Sequence, residues 1–190
     1  MTAPLVQVIL GSTRKGRAGE RVSRWFMDQA QGRDDLQLEL VDLRDWPLPF
    51  FDSPVPPAMG RYDDPAQQAW GAHVGRADAY VLVTPEYNHG YPAVLKNALD
   101  TVYAEWRGKP VGFVGYGSVG AGVRAVEQLR QVVIELSMLP LREQVGIPRV
   151  YAAFDEAGRL RAPHHDAEAK AVLDGIAAMT RRLNPVQAPA

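Results

Sequence analysis

The sequence predicts an α/β protein: one five-stranded parallel sheet in the order 2-1-3-4-5, covered by helices on both faces as a three-layer sandwich. Three observations carry that expectation. Short apolar runs alternate with longer stretches of helical periodicity along the chain. Successive strands are separated by helix-sized connections, as parallel crossovers require. No linker, internal repeat or low-complexity block divides the 190 residues, a length suited to one core.

The elements follow in order. Residues 5–10, LVQVIL, form a continuous apolar run closed by Gly11 and read as a buried strand. Residues 17–30 place Val22, Trp25, Phe26 and Ala30 at helical spacing with charges between them. Residues 36–43 alternate as a second strand, 62–76 predict a helix, and 79–83 a third strand. Residues 93–106 predict a helix with Leu95, Leu99, Val102 and Trp106 on one face, and 110–115 a fourth strand. Residues 118–136 predict a long helix with the stripe Val119, Val126, Leu129, Val133 and Leu136. Residues 141–145 give a fifth strand and 167–183 a closing helix. A single domain is expected over residues 1–184 and a disordered tail over 185–190. This is the flavodoxin-like strand order, in which ligands bind beyond the carboxyl ends of the strands, near the switch between strands 1 and 3.

Composition narrows the chemistry. Hydrophobic content is 46% and charged content 23%, ordinary for a soluble domain. With 21 basic and 22 acidic residues, no global field favours nucleic acid or an anionic membrane, so neither partner is expected. The absence of cysteine excludes disulfides, thiolate metal sites, Fe–S clusters and a Cys nucleophile. The N-terminus has no basic region before its short apolar run, and no apolar stretch approaches the ~18 residues of a membrane span. A cytoplasmic protein is expected.

Three loops at the predicted sheet edge carry the candidate site. GSTRKGRAGER, residues 11–21, joins a strand to a helix and gathers Ser12, Thr13, Arg14, Lys15 and Arg17 around glycines. Amide N–H groups at a helix start, with hydroxyls and cations nearby, suit an anion such as phosphate. The spacing from Gly11 to Gly16 nearly fits a Walker loop, but Arg17 and Ala18 stand where Lys and Ser or Thr are needed, which argues against an ATPase.

GYGSVGAG, residues 115–122, contains a dinucleotide-like spacing, Gly115-x-Gly117-x-x-Gly120, but on the fourth strand and with Glu135 inside a helix at the acid's position. It also contains a near nucleophile elbow at Ser118, for which Asp155 with His164 or His165 would complete a hydrolase triad. A third reading is a tight turn whose open backbone lets a flat ring lie against it. TPEYNHGYP, residues 84–92, spends an acid, two tyrosines, an amide and an imidazole where a strand needs only a stop. Glu86 as a general acid, or Glu86 with His89 as a metal pair, finds no second ligand and no helix to align it, so no metal is expected.

Together, GSTRKGR, TPEYNHGYPAVLKNALD and GYGSVG resemble the NADPH-dependent FMN reductase family, which includes quinone, azo-dye and chromate reductases. The likeness covers about the first three quarters of the chain. It implies FMN as cofactor and NADPH or NADH as co-substrate, with a small-molecule electron acceptor: quinone, azo dye, metal ion or free flavin. It further implies that Ser12, Thr13, Arg14, Arg17, Ala18 and Gly19 hold the FMN phosphate. Pro85, Glu86, Tyr87 and Asn88 would line the isoalloxazine ring, and Tyr116, Gly117, Ser118 and Gly120 approach its pyrimidine edge. Members often carry Ser-Phe-Asn where this chain has Arg17-Ala18-Gly19, which makes Arg17 the substitute phosphate ligand. No side chain is assigned as catalytic, because the cofactor carries the chemistry. The aromatic, proline-rich residues 44–62 predict a lid or a partner contact, and the resemblance implies a homodimer or homotetramer joined near the helix after residue 93. The alternative is a flavodoxin-like electron carrier, although flavodoxins use a hydroxyl-rich phosphate loop and this one is cationic.

Overall fold

The computed structural model describes residues 2–183; Met1 and residues 184–190, which include the expected tail, lie outside the described residues. Eleven elements follow one another as β1 (Leu5–Leu10), α1 (Gly19–Asp28), β2 (Gln37–Asp42), the short 3-10 turn η1 (Pro57–Met59), α2 (Pro65–Gly75), β3 (Ala79–Pro85), α3 (Ala93–Asp100), β4 (Pro110–Tyr116), α4 (Val123–Glu135), β5 (Leu139–Ile147) and α5 (His164–Leu183). All four strand pairings are parallel, and the order is β2-β1-β3-β4-β5, as the sequence predicts.

Alternation along the strands divides the core in two. Val6, Val8 and Leu10 of β1 and Ala79, Val81 and Val83 of β3 face α1 and α5, where they meet Val22, Phe26, Val172 and Ile176. Ile9, Tyr80 and Leu82 point the other way, toward Trp70 of α2, Leu95 and Leu99 of α3, and Leu129 of α4. Every residue of β3 and β4 is buried, as expected for the centre of a sheet covered on both faces. Each fully buried Val, Leu or Phe contributes roughly 1.5–3 kcal/mol, so these strands form a stiff base for the loops at their carboxyl ends.

Several boundaries differ from the sequence expectation, each for a backbone reason. Helix α3 stops at Asp100 rather than continuing to Trp106, and residues 101–108 turn back toward β4. Val102 and Trp106 are still fully buried, so the apolar stripe marks the buried residues correctly but not their conformation. Helix α4 begins at Val123 rather than Ser118, because Ala121 and Gly122 have φ of 53° and 82°. Val119, expected on its buried stripe, is consequently 77% exposed. Helix α2 begins at Pro65, where the Asp64 side chain caps it by accepting from the Gln67 N–H at 2.9 Å. Strand β5 is longer at both ends than expected, and α5 starts at His164.

Residues 44–62 are pinned rather than free. The Asn97 side chain accepts from the Phe51 N–H at 3.0 Å and donates to the Pro49 carbonyl at 2.8 Å, while the Tyr62 hydroxyl donates to Glu105 at 2.7 Å. This holds the segment against α3, with Phe50 and Met59 exposed. Among the described residues, no helix is long and apolar enough to cross a membrane.

Candidate functional site

At the carboxyl edge of the sheet, the loops after β1, β3, β4 and β5 enclose a cavity of about 850 Å³, within the range of small-molecule sites. It lies at the β1/β3 switch point, where the strand order reverses. Its wall includes Arg14, Arg17, Ala18, Pro85, Glu86, Tyr87, Asn88, Tyr116, Gly117 and Ser118. Ser12 and Gly19 lie just beneath, because the buried Ser12 hydroxyl is 3.2 Å from the Tyr116 hydroxyl and a Cβ at Gly19 would come within 2.5 Å of that oxygen. Gly120 sits behind, against Arg124. Thr13 is exposed on the first loop between them.

The first loop presents unfilled donors. Among the described residues, none of the amide N–H groups from residue 12 to residue 19 donates to a protein acceptor. Three of these residues, Ser12, Arg17 and Gly19, are buried, so the loop packs closely against the fold while its amides stay free of protein acceptors. The loop holds this shape because Arg17 is turned inward. Its guanidinium donates to the Ser12 carbonyl, to both Asp42 oxygens (2.9 Å to Oδ1) and to Glu20 at 3.1 Å. Only 1% of its side chain is exposed. Burial opposes the charge, yet Asp42 and then Glu20 outweigh it and raise the Arg17 pKa. Arg17 is therefore engaged by Asp42 at the end of β2.

The loop after β3 opens with a two-residue hairpin. Tyr87 and Gly90 exchange hydrogen bonds of 2.8 and 3.0 Å, and the central residues Asn88 and His89 have φ of 50° and 68°, as a type I′ turn requires. Asn is favoured in that conformation and His is among the residues enriched there. His89 is exposed, and its carbonyl accepts from Gln128 on α4. Glu86 faces inward instead. Its carboxylate accepts from the Arg124 amide at 3.2 Å and from the Arg124 Nε at 2.6 Å, joining the β3 loop to the first turn of α4.

The loop after β4 is held open in the same way. Gly117 donates to Ile147 and Glu86 donates to Tyr116, while the amides of Ser118, Val119 and Gly120 donate to no described residue. Burial pushes the Tyr116 phenol up to about 12, so it remains a neutral hydroxyl. Asp155 pairs with Arg159 and His165 with Glu168, and neither lines the cavity that contains Ser118, so no hydrolase triad forms.

Sequence reasoning missed a fourth wall, Arg149, Val150, Tyr151 and Ala152 after β5. Arg149 donates its amide to Ser118 and Val150 to Gly117, so this loop is laced to the β4 loop. Tyr151 accepts from Arg14 at 2.6 Å, and the hydroxyls of Tyr87 and Tyr151 raise the Arg14 pKa. The available signal was topological: the loop after the fifth strand opens onto the same sheet edge as the other three.

The sequence matches the family described as NADPH-dependent FMN reductase over residues 4–152. It is 41% identical over 150 residues to an NAD(P)H-dependent FMN reductase of Schizosaccharomyces pombe, covering 77% of this chain and 74% of that protein. It is 32% identical over 165 residues to a quinone reductase of Pseudomonas putida, covering 82% and 83%. The fold superimposes on the flavoenzyme NAD(P)H:(acceptor) oxidoreductase FerB of Paracoccus denitrificans with a TM-score of 0.77 and 21% identity, covering 95% of this chain and 98% of that one.

Proposed function

The chain belongs to the NADPH-dependent FMN reductase family, and we propose that its first loop holds the FMN phosphate while the loops after β3 and β4 hold the flavin ring. It is an FMN-dependent NAD(P)H oxidoreductase. The observation that supports the residue assignment is the run of unfilled amides from residue 12 to residue 19 at the start of α1, which suits a phosphate.

In this reading Ser12, Ala18 and Gly19 contribute backbone N–H groups, Thr13 adds its hydroxyl, and Arg14 supplies a movable cation. Arg17 sets the loop rather than gripping the anion, since Asp42, Glu20 and the Ser12 carbonyl occupy its guanidinium. Pro85, Tyr87 and Asn88 form one wall of the ring slot, and Glu86 fixes its distance from the opposite wall through Arg124. The free amides of Ser118, Val119 and Gly120 suit the carbonyl-rich edge of the flavin, where donors stabilise developing negative charge. The chemistry FMN supplies when bound is passage of two electrons and a proton from NAD(P)H to a small acceptor.

The acceptor class favoured is quinone-like, a flat ring that stacks in a slot edged by Tyr87 and Tyr151. A homodimer through the α3 side accords with the exposed Phe50 and Met59 on a segment pinned to that helix; Phe50→Glu should then shift the protein toward monomer in light scattering. A cytoplasmic location goes with this reading. Purified protein should be yellow, release FMN on denaturation and oxidise NAD(P)H with a quinone. A colourless protein that neither takes up FMN nor consumes either nucleotide would overturn it.

A further inference from the structure

The FMN cavity is not the only hollow at the phosphate loop. Ala18, Val150 and Tyr151 also line a neighbouring trough of about 320 Å³, and Arg21, Arg24 and Phe154 line both that trough and a further space of about 500 Å³. The trough runs along the exposed face of α1 toward the 154–161 hairpin.

Arg17, Arg33, Arg44, Arg61, Arg76, Arg124 and Arg159 each have a carboxylate within 4.0 Å. Arg21, Arg24 and Arg161, which line the trough or the space beyond it, have none among the described residues, a property they share with Arg14, Arg107, Arg130, Arg142, Arg149 and Arg182. In the inner segment the sole acid, Glu20, is taken by Arg17 and Arg44, so Arg21 and Arg24 leave that segment positive. Asp28, Asp155 and Glu156 appear only in the outer segment, where Asp155 pairs with Arg159.

This arrangement works against α1 itself. Arg21 and Arg24 stand three residues apart on the exposed face of α1, so two like charges are neighbours there. Such a conflict costs a few tenths of a kcal/mol, and a bound anion reverses its sign. Arg21 is also held over the Phe154 ring, 5.5 Å from its centroid, which keeps the guanidinium in the trough.

We propose that the trough beside α1 receives the adenosine half of the nicotinamide dinucleotide, with Arg21 and Arg24 contacting the 2′-phosphate that distinguishes NADPH from NADH. The proposal rests on the reductase reading and deepens it. A nucleotide whose nicotinamide lies in the cavity passes its pyrophosphate over Ala18, Val150 and Tyr151, beneath Arg14 and Arg149, and lays its phosphorylated ribose on Arg21 and Arg24. The adenine reaches the wider outer segment.

Direct binding tests this. The FMN-loaded protein is titrated calorimetrically with 2′,5′-ADP and with 5′-AMP, alongside Arg21→Gln, Arg24→Gln and, as a control cation on α5, Lys170→Gln. The expected result is tighter binding of 2′,5′-ADP than of 5′-AMP, a loss of about tenfold in 2′,5′-ADP affinity in each arginine variant, and none in the control. The NADPH-to-NADH ratio of kcat/KM should fall by a similar factor. Undetectable 2′,5′-ADP binding, or equal effects on both ligands, would overturn the proposal. An active reductase whose 2′,5′-ADP affinity ignores Arg21 and Arg24 rejects the trough alone, whereas wild-type protein that oxidises neither nucleotide rejects the reductase reading.

Discussion

Glu86, at the end of β3, reaches across the cavity floor to Arg124 in the first turn of α4, accepting its backbone amide at 3.2 Å and its Nε at 2.6 Å. An acid that first suggests proton chemistry is thus a brace between two walls. Its side chain is 8% exposed and that of Arg124 46%, so the pair is partly shielded.

Removing the brace should loosen the ring slot without touching the phosphate loop. Glu86→Ala is expected to lower FMN and riboflavin affinity together, by roughly tenfold, and to cost about 1–3 kcal/mol of stability. Fluorescence titration with both flavins checks this; a loss confined to FMN would place Glu86 with the phosphate instead.

Arg14 and Arg17 should separate in the same assay. Arg14 is exposed and held only by tyrosine hydroxyls, so Arg14→Ala should weaken FMN by about tenfold and leave riboflavin, which lacks phosphate, nearly unchanged. Arg17→Ala removes the buried support of the Ser12 carbonyl and leaves Asp42 unpaired. Both flavins should then bind worse, with a clear drop in melting temperature.

The Arg17–Asp42 pair also predicts an acid dependence. Burial alone would push the Asp42 carboxyl up, but the Arg17 hydrogen bonds, the Arg44 amide and both guanidinium charges hold it below its ordinary value of 3.8. A depressed folded-state pKa gives stability that is present above the unfolded value and lost as pH falls through the folded one. Urea unfolding should therefore show wild type more stable than Asp42→Asn at pH 7 by about 1–3 kcal/mol, because the substitution removes the buried guanidinium's main carboxylate and leaves it Glu20 and the Ser12 carbonyl. That gap should narrow below about pH 4, as wild-type Asp42 becomes protonated.

Gly122 sets the entry to α4. Its φ is 82°, and a Cβ there would lie 2.4 Å from the Tyr116 nitrogen, a backbone atom that cannot step aside. Gly122→Ala should destabilise by about 3 kcal/mol or more and lower flavin content, read by thermal unfolding and the absorbance of bound flavin.

Much of this protein is legible in its residues, because local periodicity and the crossover rule act without long-range information. Continuous apolar runs in LVQVIL and AYVLV, alternation in LQLELVDL and helical spacing in the segments between specify the strand order and hence the edge where a ligand binds. The same local patterns overrun their ends. Val119 and Trp106 continue a helical stripe on paper, while Gly122, Ala121 and the turns after Asp100 break the helix.

The stretch TPEYNHGYP marks the division most clearly. Its composition identifies a site wall after β3, and its Asn88-His89 turn is a local property. Which side chains remain free is decided by partners far away in sequence: Arg124 takes Glu86, Asp42 takes Arg17, Tyr116 takes Ser12, and Tyr151 meets Arg14. Those pairings span from 25 to 137 residues, and each depends on two loops arriving at one sheet edge. The sequence by itself determined the scaffold and the loops that meet. Only the tertiary structure decided which of their charges hold the walls together and which face the ligand, because a charge in a crowded edge is claimed by whichever opposite charge folding brings within hydrogen-bonding reach.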